Sequence, residues 1–216
     1  ECLRFYMLEY HVDGFVVNPY TVPWEILCAD PFLKDVKLMR KDDAFQNVMR
    51  RFLKGDENMV NDVMWALSHN SSADGKCNYI TAQTGFTLWD LVSYDSKHNE
   101  ANGENNTDGP DYNYSWNCGA EGPSRKRAVM ALRKNQAMNA FFLLLTAQGT
   151  PCILAGDEFF NTQKGNNNVY CQDNETGWVD WSRLRTDRSL FDFVKDLITL
   201  RREHPCLHRK EELKGL

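Results

Sequence analysis

The chain has 216 residues, of which 42% are hydrophobic, 12% aromatic and 25% charged; 30 acidic residues against 25 basic ones leave it at −5 near pH 7. That composition and length suit one globular domain or at most two small ones. The acidic balance excludes an electrostatic footprint for nucleic acid or an anionic membrane surface, and no apolar run approaches the roughly 20 residues of a membrane span.

Leu3, Tyr6, Met7 and Tyr10 recur at helical spacing, which predicts the end of an amphipathic helix at the start of the chain. A strand over 12–17 follows, closed by Asn18-Pro19. A short helix over 22–27 ends at Asp30-Pro31, and 36–39 is a candidate second strand. Phe45, Val48, Met49, Phe52 and Leu53 form one helical face with Gly55 as the residue just past its end. Asp56 is the candidate cap of the next helix, whose apolar face is Met59, Val60, Val63, Met64 and Leu67.

After a turn-rich stretch at 70–76, CNYITA at 77–82 reads as another strand. A polar loop fills 93–123, and its interleaved Tyr112, Tyr114 and Trp116 predict that it is ordered. Ser124 is the candidate cap of a long helix to about residue 148, closed by Gly149; its AFFLLLT run marks a buried helix. PCILA at 151–155 reads as a buried strand turning through Gly156, Asp157 and Glu158. A second polar loop at 161–181 precedes a last helix that starts at Asp187 or Ser189 and is stopped by Pro205.

Strands alternating with helices predict parallel βα units, and the polar loops after the strands place any site at the strands' carboxyl ends. The seven cysteines (2, 28, 77, 118, 152, 171 and 206) are odd in number, scattered, and contain no C-x-x-C pair. They fit small core filler in a reduced, cytoplasmic protein, with no zinc site. The chain opens on Glu1 without an initiator Met or a signal-like segment, which reads as a fragment of a longer protein.

Four stretches carry a resemblance: KHNEANGENN (97–106), NYSWNCGAEGP (113–123), QGTPCILAGDEF (148–159) and GNNNVYCQDNETGWVDW (165–181). Together and in this order they resemble the glycogen-debranching and isoamylase-type enzymes of glycoside hydrolase family 13, over residues 11–208. The resemblance implies an α/β fold, the C-terminal half of a (β/α)8 TIM barrel comprising strands four to eight with their helices. It implies a partial catalytic-type domain over 1–205 and, over 206–216, the start of a linker to a C-terminal β domain. The first three strands have no counterpart, so the resemblance calls for a missing N-terminal half barrel or a protein partner to cover the open edge.

The same resemblance implies α-1,6-glucan hydrolysis with retention, which needs a carboxylate nucleophile and a carboxylic acid roughly 5–5.5 Å apart. The family's fourth strand reads Asp-Gly-Phe-Arg-Phe-Asp, ending on the nucleophile; here it is Asp13-Gly14-Phe15-Val16-Val17-Asn18. The fifth strand ends on the acid, and that position falls on Lys41, with the long loop that follows deleted. The seventh carries Ala-His-Asp-Gly-Phe-Thr-Leu, matched by Ala82-Gln83-Thr84-Gly85-Phe86-Thr87-Leu88. Asn18, Lys41 and Thr84 therefore stand where the three catalytic carboxylates are expected. Loss of the arginine at Val16 goes with loss of its carboxylate, since a partly buried guanidinium left unpaired costs about 3–5 kcal/mol.

On this reading hydrolysis is negligible and the chain is a pseudoenzyme that keeps glucan binding. Asp13, Asn18, Gln83 and Thr84 supply polar contacts, and Trp89, Tyr94 and Trp116 supply apolar faces for sugar rings. Trp89 suits the core equally, and Tyr112, Tyr114 and Trp116 suit anchoring of their loop. No cofactor and no metal are expected: His204 and His208 are four apart but separated by Pro205, and NGENNTDG fails the EF-hand spacing. The expected partner is an α-glucan (glycogen, starch-derived chains or a maltooligosaccharide), with no nucleic acid and no membrane. The alternatives are an active hydrolase using displaced carboxylates such as Asp42, Asp43 or Glu158, and a non-catalytic subunit completing a partner debranching enzyme.

Overall fold

The computed structural model describes residues 1–209 and Leu213. Four strands, β1 (Gly14–Val16), β2 (Lys37–Lys41), β3 (Lys76–Asn78) and β4 (Thr150–Pro151), form one curled parallel sheet in chain order among the described residues. Register pairs Phe15 with Leu38, Lys41 with Cys77, and Cys77 with Thr150. The ladder runs past the formal strand ends: Val17 N donates to Met39 O at 2.9 Å, Asp42 N to Cys77 O at 2.9 Å, and Cys152 N to Asn78 O at 2.7 Å.

The helices are α1 (Cys2–Tyr10), α2 (Trp24–Cys28), α3 (Asp43–Lys54), α4 (Val60–Ser68), α5 (Leu88–Leu91), α6 (Arg127–Thr146), α7 (Ser182–Thr186) and α8 (Ser189–Glu203). The core lies where α3, α4, α6 and α8 meet the sheet and the run after β3, with Met49, Phe86, Ala137 and Leu190 fully enclosed. Half of the (β/α)8 plan is thus present. The family numbering allots five strands, four through eight. Here β2 bonds directly to β3, and α3 and α4 occupy the segment between them.

Several local expectations change. Gly55 takes the left-handed cap of α3 at φ 96° as predicted, its N–H reaching Arg51 O and Phe52 O. Asp56 does not cap α4; its carboxylate is drawn to Arg51 at 2.9 Å and Lys54 at 3.4 Å, and Met59 holds the cap position. The long helix begins at Arg127, because the Ser124 hydroxyl closes a turn by accepting from Lys126 N at 3.2 Å. The third strand ends at Asn78, and the short helix α5, capped by Thr87, was not foreseen.

Buried guanidinium groups tie the loops to the helices. Arg133 of α6, 1% exposed, donates to Gly122 O at 2.7 Å, Asn117 O at 3.1 Å, Ser93 O at 3.3 Å and Ala120 O, so one side chain collects four carbonyls of the 93–123 loop. Arg201 of α8 does the same for Leu145 O, Ala147 O and Gly149 O before β4. After Pro205 the chain folds back: Gln148 donates to Cys206 O at 2.8 Å and accepts from Arg209 N at 3.0 Å. Of the expected linker over 206–216, residues 210–212 and 214–216 lie outside the described residues.

Candidate functional site

The carboxyl ends of β1 and β2 and the run after β3 open onto one cleft of about 540 Å³. Val16 to Tyr20, Arg40 to Ala44, Lys76, Tyr79, Gln83 and Thr84 line it. Asn18, Lys41, Gln83 and Thr84, four sequence-predicted positions from three segments distant in the chain, are thereby brought together.

Asn18 is exposed and makes the turn by which the chain leaves β1: its Oδ1 accepts from Tyr20 N at 3.0 Å, and its carbonyl accepts from Thr21 N and Oγ1 at 3.1 and 3.2 Å. An Asx turn before a proline-fixed backbone uses the amide oxygen locally. Lys41, at the end of β2, donates through Nζ to Gln83 Oε1 at 2.8 Å and stands 5.5 Å from the centre of the Tyr79 ring. The position expected for the acid is therefore a half-buried ammonium held by an amide and an aromatic face.

The nearby acids are engaged. Asp42 is 5% exposed and caps α3, accepting from Phe45 N at 3.4 Å, with Lys76 Nζ 4.0 Å away. β2 runs to Lys41, two residues past the strand end expected at 39, and Asp42 follows it directly as the cap. Asp43 instead opens the helix and accepts from the Tyr79 hydroxyl, whose pKa is pushed up by burial and by this carboxylate. Glu158 lies outside the cleft, its Oε2 accepting from Gly156 N at 2.9 Å.

Asp157, after β4, is fully enclosed and accepts from Leu88 N at 2.9 Å and from the Thr81 hydroxyl; burial raises its pKa to about 7. Asp90 likewise accepts from Gln163 N at 2.7 Å and the Thr162 hydroxyl, and burial raises it to about 6. Both carboxyls stitch loops together under the cleft. Cys152, one residue past β4, has its thiol held down to about 7 by Cys77 of β3 against the opposing effect of burial, with the Lys41 charge acting in the same direction.

Asp13, Trp89, Tyr94 and Trp116 do not line the cleft. Asp13 precedes β1 at its amino end, where its carbonyl accepts from Lys37 N at 3.0 Å. Trp89 packs edge-on against Phe160 with ring centres 4.9 Å apart. Tyr94 is buried between Gly122 and Gly165, and burial pushes its hydroxyl up to about 12. Trp116 faces a small gap beside α3 and α6 with Arg50, Leu53 and Gln136, its backbone N–H donating to Leu91 O at 3.0 Å.

Tyr20, Tyr79, Lys76 and Arg40 are among the lining residues that the sequence reading does not single out. Tyr79 lies one residue past β3, on the run that leads to Gln83 and Thr84. Among the described residues, no group of three or more His, Cys, Asp or Glu is placed to hold a metal ion. No described helix is long and apolar enough to cross a membrane.

A parallel β/α sheet with a polar cleft at its strand ends is half of a β/α-barrel enzyme scaffold. No family model matches the chain. It is 36% identical over 257 residues to the glycogen operon protein GlgX homolog of Mycobacterium tuberculosis, covering 100% of this chain and 36% of that protein. It is 37% identical over 253 residues to the glycogen debranching enzyme of Erwinia tasmaniensis (97% and 38% covered). Against isoamylase 1 of Arabidopsis thaliana, a chloroplastic protein, identity is 34% over 266 residues (94% and 34%).

Among solved structures, pullulanase from Bacillus acidopullulyticus superposes with a TM-score of 0.64 at 21% identity, over 96% of this chain and 28% of the pullulanase. Pullulanase from Paenibacillus barengoltzii in complex with maltohexaose and α-cyclodextrin gives 0.63 at 20% identity (95% and 36%). The chain is a relative of the debranching and isoamylase-type enzymes of glycoside hydrolase family 13. It spans about a third of the length of the curated relatives it matches.

Proposed function

We propose that the chain is an α-glucan-binding relative of the debranching enzymes that has lost hydrolysis. The observation that carries this reading is the identity of three residues on one cleft. Asn18, Lys41 and Thr84 occupy the positions where the resemblance calls for nucleophile, acid and stabiliser. An amide, an ammonium and a hydroxyl can hydrogen-bond a sugar; they supply neither an anionic nucleophile nor a carboxylic acid. The neighbouring carboxylates make poor substitutes, because Asp42 is spent as a helix cap and Asp43 is held by Tyr79.

Binding is supported by an open cleft of ligand size with amides, hydroxyls and the rings of Tyr20 and Tyr79 on its walls. The names of the relatives point to glycogen, and one solved neighbour holds maltohexaose. A cytoplasmic location is part of the proposal and draws on the seven free thiols. Calorimetry with a branched maltooligosaccharide, paired with a reducing-end assay on glycogen, tests both halves. The proposal requires heat of binding and no new reducing ends.

One observation favours a second reading, in which this chain completes a barrel with an amino-terminal half barrel. No residue of α1 is buried, and Phe5, Tyr6, Leu8 and Tyr10 are exposed beside the outer strand β1. Light scattering that finds only monomer, with α1 still helical by circular dichroism, would count against it.

A further inference from the structure

The glucan reading leaves the charge of the cleft unexplained. In a chain of net charge −5, its lining carries Arg40, Lys41 and Lys76 against Asp42 and Asp43. The two acids are internally satisfied, as a helix cap and as the acceptor of the Tyr79 hydroxyl. Arg40 donates to Asp74 O at 3.0 Å and lies over the Trp24 ring, and Lys76 has Asp42 at 4.0 Å.

Lys41 differs. Its only hydrogen-bond partner among the described residues is the neutral Gln83 amide, and no carboxylate comes within ion-pair distance of it. Two of its three N–H donors are unspent. On this half-buried residue an ammonium whose charge meets only an amide and an aromatic face, at the open side of the cleft, attracts an anion.

We propose that the cleft selects a glucan carrying a phosphate monoester, with Lys41 Nζ on the phosphate and Asn18, Gln83 and Thr84 on the sugar hydroxyls. This rests on the glucan-binding reading and narrows its ligand. A retaining glycosidase would repel such a group, since two carboxyl groups would face it. Exchanging the acid for Lys41 replaces that repulsion with attraction, so the changes that disable hydrolysis also alter what the pocket accepts.

The test compares maltohexaose with maltohexaose bearing one phosphate monoester, by calorimetry in low salt (about 20 mM) and high salt (about 500 mM). Lys41 stands at a strand end, so Lys41→Gln serves as the variant, its fold checked by circular dichroism. The phosphorylated sugar should bind about five- to tenfold tighter in low salt, and the advantage should shrink to about twofold or less in high salt. In Lys41→Gln the two sugars should bind alike, whatever affinity the neutral sugar itself loses with the Gln83 contact. Equal affinity of the two sugars in low salt overturns the phosphate proposal and leaves glucan binding standing. A preference that survives Lys41→Gln removes Lys41 from it. Failure of both sugars to bind overturns the glucan reading itself.

Discussion

Replacing Asp157 with asparagine should flatten the pH dependence of stability. The enclosed Asp157 carboxyl is raised from 3.8 to about 7, chiefly by burial, and the nearby Asp90 is raised to about 6. Between pH 4 and 7 the folded chain therefore holds protons that the unfolded chain has released, so stability falls as pH rises through that window. Each tenfold change in proton affinity is worth about 1.4 kcal/mol, which puts the Asp157 contribution near 4 kcal/mol across the full window. Because both carboxyls are raised by burial and the Asp90 charge also raises Asp157, the measurable loss belongs to the pair.

Urea unfolding at pH 5, 6, 7 and 8 measures it. The native chain should lose on the order of 2–4 kcal/mol from pH 5 to 7.5 and level off above that. Asp157→Asn retains an oxygen for Leu88 N, and its curve should lose most of that slope. Asp187, held low at about 2 by its bonds to Lys134 and Ser189 against the effect of burial, is ionised throughout and contributes no slope here. Stability that is flat or rises between pH 5 and 7.5 in the native chain would refute the reasoning.

Arg133→Met should cost about 3–5 kcal/mol, since four loop carbonyls lose their donor, and limited proteolysis should then cut first within 93–123. Asp42→Ala removes the α3 cap and should lower unfolding free energy by about 1 kcal/mol, while Asp42→Asn costs much less; chemical denaturation separates them. Gly165→Ala should destabilise by about 1–3 kcal/mol in a thermal melt. Its backbone sits at φ +82°, and an added Cβ would lie 2.8 Å from the Tyr94 ring.

The half-barrel plan was readable because helices with a period of 3.6 alternate with short β-rich runs, and the runs ending at Asn18 and Lys41 point their last residues at one place. Helix positions that depend on side-chain chemistry were less legible. Asp56 looks like a cap by spacing, yet two cations within reach claim its carboxylate. Ser124 spends its hydroxyl on a turn three residues before the helix begins. The strand expected over 77–82 is shorter: only Lys76–Asn78 is strand, and Cys77 is its one residue paired to both β2 and β4.

The aromatic residues mark the limit of sequence reading at the site. Trp89, Tyr94 and Trp116 have the composition of a sugar platform, but loop order comes first. Tyr94 and Trp116 fasten the long loop to α5 and α6, and Trp89 packs on Phe160. The buried amides of Asn99, Asn113 and Asn167 bond one another and fix the two polar loops together. Asparagine-rich composition alone could not distinguish that network from a ligand-facing surface. Tyr79 falls one residue past β3 rather than within the strand expected over 77–82, and its bond to Asp43 depends on where α3 starts.

Where the resemblance calls for carboxylates the cleft presents Asn18, Lys41 and Thr84, and one assay puts the proposed loss of hydrolysis directly at risk. Glycogen is incubated with the chain and with Asn18→Asp, and reducing ends and linear chains are followed over hours. Neither protein should release them above the rate without protein, because Asn18→Asp restores a nucleophile without an acid. Debranching by the unaltered chain, abolished by Asp42→Asn with Asp43→Asn, would show that the displaced carboxylates act and would contradict the account.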